Sequence, residues 1–188
     1  MALPVLPPIR SVSDLQTAVA QGHQPEYLFF WGHTTPAHGA VGKECFSQWY
    51  PATFEENGTR YPTAEHYMMA EKARLFGDDD TRAAILRTTH PNDAKRLGRK
   101  IAPFDEATWT AARMAIVVRG NALKFGQHPA LATFLRQTGA RVLVEASPVD
   151  SIWGIGLAQD SPHAAQPTEW RGLNLLGFAL MEVRDQLS

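Results

Sequence analysis

Glu65 and Lys72 stand seven residues apart in the stretch Tyr61-Pro-Thr-Ala-Glu-His-Tyr67-Met-Met-Ala-Glu-Lys72. On a helix that separation is close to two turns, so both side chains leave one face, with Met68 and Met69 nearby. A carboxylate and an amine on a partly apolar face can divide proton transfer between them, or let the amine attack as a nucleophile. The same spacing also suits an acid that favours a helix N-terminus and a solvated lysine. A second cluster, Glu145-Ala-Ser-Pro-Val-Asp150-Ser-Ile-Trp153-Gly-Ile-Gly156, carries a short apolar run onto a Gly-containing loop. Asp150 there either stands beside Trp153, a stacking platform for a planar ring, or forms the turn while Trp153 covers core. In the third, Glu169-Trp-Arg-Gly-Leu-Asn174, the asparagine either meets a ligand hydroxyl or phosphate or satisfies backbone groups close by.

Rival chemistries find no motif. There are seven histidines but no His-Glu-x-x-His, and one thiol, Cys45, so neither a catalytic nor a structural metal site is expected. No Gly-x-Ser-x-Gly elbow surrounds Ser47 or Ser147, no Gly-Lys-Ser/Thr phosphate loop occurs, and Gly154-Ile-Gly156 lacks the third glycine of a dinucleotide fingerprint. Lys plus Arg number 18 against 19 Asp plus Glu, a net charge of -1 that argues against bulk nucleic acid as partner. Lys95, Arg96, Arg99, Lys100, Arg113, Arg119 and Lys124 do enrich the middle of the chain. Solvated helix faces account for most of them, and Arg99, directly after Gly98, is the phosphate candidate. The single cysteine, a proline-punctuated start and the lack of a long apolar run point to a cytoplasmic protein without a membrane span.

The elements that must position these groups are mostly helical. The 188 residues suit one domain of generous size. Residues 1–26 read as an accessory arm, extended to about residue 10, with Ser13 capping a short helix through Gln21. Tyr27 to Trp31 is a plausible strand, followed by a loop through His38, Gly39 and Gly42. Asn57-Gly58 marks a hairpin, Thr63 an N-cap, and Ala64 to about Phe76 a helix closed by Gly77. Further helices are expected over Thr81–Thr88 and Asn92–Lys100, then from Asp105 through Leu123, and between Pro129 and Gly139. Arg141–Ala146 reads as a short buried strand, and a last helix lines up Leu173, Leu176, Leu180, Val183 and Leu187.

The chain resembles the NADAR superfamily, specifically the YbiA-like N-glycosidases, over about Tyr27 to the C-terminus. The likeness rests on Phe46-Ser47, Tyr61-Pro-Thr-Ala-Glu-His-Tyr67 with Lys72, Gly98-Arg99, Trp109, Ala122-Leu-Lys-Phe125, Leu143-Val-Glu-Ala-Ser-Pro148 with Asp150, Trp153-Gly154 and Trp170-Arg-Gly-Leu-Asn174-Leu-Leu-Gly177. It implies an α+β fold: a compact, helix-rich single domain over 27–188 with a few short strands and no required metal or cofactor. It also implies hydrolysis of a bond between ribose and a base-like amine. The implied substrates are phosphoribosylamino-pyrimidine intermediates of riboflavin biosynthesis or, in other branches, ADP-ribose attached to guanine; a binding module that reads ADP-ribose without cleaving it is the rival class. By correspondence Glu65 leads the catalytic set, with Lys72 and Asp150, while Trp153 and Asn174 surround the pocket. Ser47, Trp49 and Arg99 complete the expected substrate contacts. Phe46-Ser47-Gln48-Trp49 departs from the Phe-Ser-Asn-Phe common in relatives, and Ala158 to Glu169 is long enough to form a lid.

Such a site needs an anion near the sugar as positive charge builds on it, together with a water or nucleophile and help for the leaving nitrogen. Either Glu65 positions the water while Asp150 transfers a proton, or Lys72 attacks the anomeric carbon while Glu65 shuttles protons. The second route needs a neutral, desolvated lysine.

Overall fold

The computed structural model describes residues 8–34 and 39–187. In chain order the regular elements are α1 (Val12–Ala20), β1 (Tyr27–Phe30), β2 (Phe54–Glu56), β3 (Thr59–Tyr61), α2 (Ala64–Leu75), α3 (Asp79–Arg87), α4 (Pro91–Gly98), α5 (Glu106–Gly126), α6 (Pro129–Gln137), β4 (Val142–Glu145) and α7 (Leu175–Gln186), with 3-10 turns at Lys43–Phe46 and Pro167–Glu169. This is the helix-rich α+β composition expected. No helix among the described residues is long and apolar enough to cross a membrane. The chain forms two compact units, one from Met1–Gly32 with Thr133–Ser188, the other from His33–Ala132.

In the unit built from both chain ends, β1 and β4 pair in parallel, Tyr27 opposite Val142 through Phe30 opposite Glu145. Trp31, expected to continue the strand, is 58% exposed beyond it. α7 packs on β4, and Gly177 makes that approach possible: a Cβ there would lie 2.1 Å from the Leu143 carbonyl oxygen. Leu176, Leu180 and Val183 are buried as expected, whereas Leu173 precedes α7 and is 47% exposed. α1 is capped by Ser11 rather than Ser13. The Ser11 hydroxyl accepts from the Asp14 amide at 3.1 Å and the Asp14 carboxylate accepts from the Arg10 amide at 2.9 Å, a reciprocal cap that leaves Ser13 inside the first turn. Gln16 on α1 donates to the Pro167 carbonyl, so this helix is tied to the C-terminal part of its unit. The expected extended arm falls largely on residues 1–7 and the His38 loop on 35–38, both outside the described residues.

In the His33–Ala132 unit, β2 and β3 form an antiparallel hairpin whose Asn57-Gly58 turn has φ of 50° and 75°, the pair of positive values that a two-residue turn matching strand twist requires. Thr63 then caps α2, accepting from the His66 amide and bonded to His66 Nδ1 at 2.8 Å. α2 is packed by α3, α4 and α5, which is why nine of its twelve residues are buried and no clean polar stripe survives. α3 begins at Asp79, two residues before the expected Thr81, and Asp78 caps it, accepting from the Thr81 amide at 3.0 Å. Pro91 joins the first turn of α4, where its missing N–H costs nothing.

Candidate functional site

Thr63 starts α2 where expected and the helix runs unbroken to Leu75, so Glu65 and Lys72 do leave one face of it. Glu65 is 4% exposed in the first turn, and its amide donates to the Gln48 carbonyl at 2.9 Å. Lys72 is half-buried. Its Nζ donates to the Gly98 carbonyl at 3.0 Å and lies 4.5 Å from the Phe104 ring centre and 5.4 Å from that of Trp109. The last carbonyls of a helix have no partner within it, so the end of α4 offers Lys72 both an acceptor and the negative pole of its dipole. Gly98 is what lets α4 come this close, because a Cβ there would be 2.1 Å from Met69 Sδ. Desolvation among these rings pulls the Lys72 amine below the usual lysine range, opposed by the charge of Glu106.

The segment that receives the Glu65 amide is held by α5. Lys124 is fully buried, and its Nζ donates to the carbonyls of Cys45 at 2.7 Å and Ser47 at 2.9 Å. One turn earlier Asn121 donates to the Gln48 side-chain oxygen at 2.8 Å. Burial pulls the Lys124 ammonium down to about 7, while burial pushes the Cys45 thiol up to about 12. Lys124, one of the basic residues for which a solvated helix face is expected, is instead a brace for the 45–48 loop. Its spacing from Val117 and Asn121, both buried on α5, is the signal that places it on an inward face.

Ser47 uses its hydroxyl locally, accepting from the Trp49 amide at 3.1 Å. Trp49 is half-buried, its ring centre 5.5 Å from that of His33 and 5.8 Å from Lys95 Nζ. Arg99 is exposed at the C-cap of α4, where a guanidinium suits the negative end of the helix.

The remaining candidates belong to the other unit. Asp150 Oδ1 accepts from the amides of Ile152 at 2.9 Å and Trp153 at 2.8 Å, so the carboxylate shapes the loop that carries Trp153. Trp153 is half-buried, and its carbonyl accepts from the Leu176 amide at the start of α7. Asn174 is fully buried in a left-handed conformation, φ 51°. Its Oδ1 accepts from the Glu145 amide and its Nδ2 donates to the Leu143 carbonyl, both at 2.9 Å. Both ends of the amide are therefore occupied by β4. Among the described residues, no group of three His, Cys, Asp or Glu gathers within reach of a metal ion.

A model of the NADAR domain matches residues 29–188. The chain is 41% identical over 166 residues to "N-glycosidase R617" of Acanthamoeba polyphaga mimivirus, covering 86% of this chain and 96% of that protein. It is 32% identical over 143 residues to "N-glycosidase YbiA" of Escherichia coli (strain K12), covering 76% and 81% respectively. The NMR structure of E. coli YbiA matches with a TM-score of 0.65 at 28% identity over 88% of this chain and 86% of the other. "Riboflavin biosynthesis protein PYRR, chloroplastic" of Zea mays is 30% identical over 198 residues, spanning 98% of this chain and 29% of that protein.

Proposed function

The chain belongs to the NADAR domain family and is an N-glycosidase like its named relatives, and from that premise we propose that it cleaves phosphoribosylamino-pyrimidines of the riboflavin route by means of Glu65 and Lys72. The observation that carries this reading is the face of α2: a buried carboxylate near its start, and two turns on an amine made less basic by the rings that desolvate it. The similarity to a riboflavin biosynthesis protein over nearly the whole of this chain supports the choice of substrate.

In this mechanism Lys72 Nζ, whose proton passes to Glu65, attacks the anomeric carbon. The C–N bond to the base breaks, its electron pair stays on the leaving nitrogen, and that nitrogen takes a proton delivered by Glu65. The ribosyl–lysine adduct opens to a Schiff base, and water adds to release the sugar and restore the amine. The Phe104–Trp109 surround keeps Lys72 reactive by withholding water, and the Gly98 carbonyl orients its resting state.

Release of free base is to be measured in parallel from a phosphoribosylamino-pyrimidine and from guanine-linked ADP-ribose. Turnover of the first and not the second is expected; the reverse assigns the chain to removal of ADP-ribose, and saturable binding without base release makes it a binding module. Borohydride added during turnover is expected to leave a ribosyl adduct on Lys72. An unmodified Lys72 overturns the covalent route.

A further inference from the structure

The opposite side of α2 carries a second constellation that this chemistry does not use. Helical geometry turns Tyr67, Glu71 and Arg74 roughly half a turn away from Glu65 and Lys72. With Glu56 of β2, Arg82 of α3 and Arg119 of α5 they line a groove of about 450 Å³. We propose that this groove is a binding site for a small phosphate monoester, held by Arg74, Arg82 and Arg119.

The two carboxylates are already matched. Glu56 accepts from Arg119 Nε at 2.8 Å and from the Tyr67 hydroxyl at 2.9 Å, and Glu71 accepts from Arg74 Nε at 2.7 Å. Three guanidiniums against two carboxylates leave one positive charge in excess. The layering favours an anion further: the side chains of Glu56 and Glu71 are 18% and 12% exposed, those of Arg119 and Arg74 59% and 61%, so the acids lie below and the cations face the opening. Each guanidinium carries five donors in a planar fork, and these ion pairs engage only part of each. Arg82 is hydrogen-bonded to the Tyr61 side chain, yet it supplies the pointer to a ligand, because its Nε is buried and has no hydrogen-bond partner. A buried donor in that state calls for an acceptor, and a phosphate oxygen bridging Arg82 to its neighbours provides one.

The test is an NMR titration that follows the arginine Nε–H signals as inorganic phosphate, and in a second arm glycerol 3-phosphate, replaces chloride at constant ionic strength. The Arg82 and Arg74 signals are expected to shift together and to saturate, with the ester binding at least as tightly as the free ion. Arg82→Gln is expected to weaken the affinity reported by Arg74 at least ten-fold, the loss of a charge-assisted bond. Arg74→Gln, at a largely exposed position, does the same as reported by Arg82, whereas Glu65→Gln leaves both signals titrating as in the wild type. The proposal is overturned by signals that do not saturate, by saturable binding confined to inorganic phosphate, or by an affinity unchanged in both arginine variants.

Discussion

Replacing Asn174 by Ala separates the two roles open to this residue. The substitution removes the acceptor of the Glu145 amide, which is part-buried, and the donor to the Leu143 carbonyl, which is fully buried. Leaving a buried polar group unpaired costs about 1–3 kcal/mol, the lower end applying where water can reach it. The first loss is then about 1 kcal/mol and the second about 2. Asn174 also sits at φ 51°, ψ 34°, and an alanine forced into that left-handed region adds roughly 1 kcal/mol. The sum, about 4 kcal/mol, is a large share of the 5–15 kcal/mol typical of a domain. Urea unfolding at constant slope is the assay. Asn174→Gly, which tolerates the same backbone but loses both bonds, is expected to recover only about 1 kcal/mol of the loss. If Asn174→Ala stays within about 1 kcal/mol of the wild type and instead raises KM, the side chain serves the substrate and the strand-pairing account is refuted.

Gly98→Ala should destabilise by about 1–3 kcal/mol in urea unfolding, the reverse of the gain expected for Gly to Ala inside a helix, because the new Cβ meets Met69 Sδ at 2.1 Å and Cγ at 2.9 Å. Adding Met69→Ala should then cost less than it does alone, and strictly additive losses contradict the packing. Lys124 titrates near 7 when folded and near the ordinary 10.5 when unfolded. The unfolded state therefore holds more protons between those values, and the wild type gains on Lys124→Met as pH rises through that window, by up to about 1.4 kcal/mol per unit. A stability difference that stays flat from pH 7 to 10 contradicts the buried lysine.

Local signals were legible wherever one or two residues decide the backbone. Asn57-Gly58 dictates its turn, and Thr63 and Asp105 cap α2 and α5 as their types require. Boundaries differ from the expected ones where a second side chain completes the cap, as Asp14 does for Ser11, or where the turn itself supplies it, as at Asp78. Asn174 shows the harder case: its side chain is set by β4, 29 and 31 residues earlier in the chain, and its backbone amide by the Gly154 carbonyl, and no local pattern reports that. The same holds at the candidate site. The shared face of Glu65 and Lys72 follows from their spacing alone, but the Gly98 carbonyl and the Phe104 and Trp109 rings reach Lys72 through tertiary packing. Lys124 was within reach, since a lysine in phase with Val117 and Asn121 lies on the buried side of its helix.

In the proposed mechanism the Glu65 carboxylate on α2 moves the proton that frees the base. Glu65→Gln keeps the shape of the side chain while removing its capacity to carry that proton. Steady-state release of free pyrimidine by this variant, with wild-type unfolding behaviour as the control for folding, is expected to fall by about 100-fold or more. Turnover at the wild-type rate by a correctly folded Glu65→Gln protein would contradict the account.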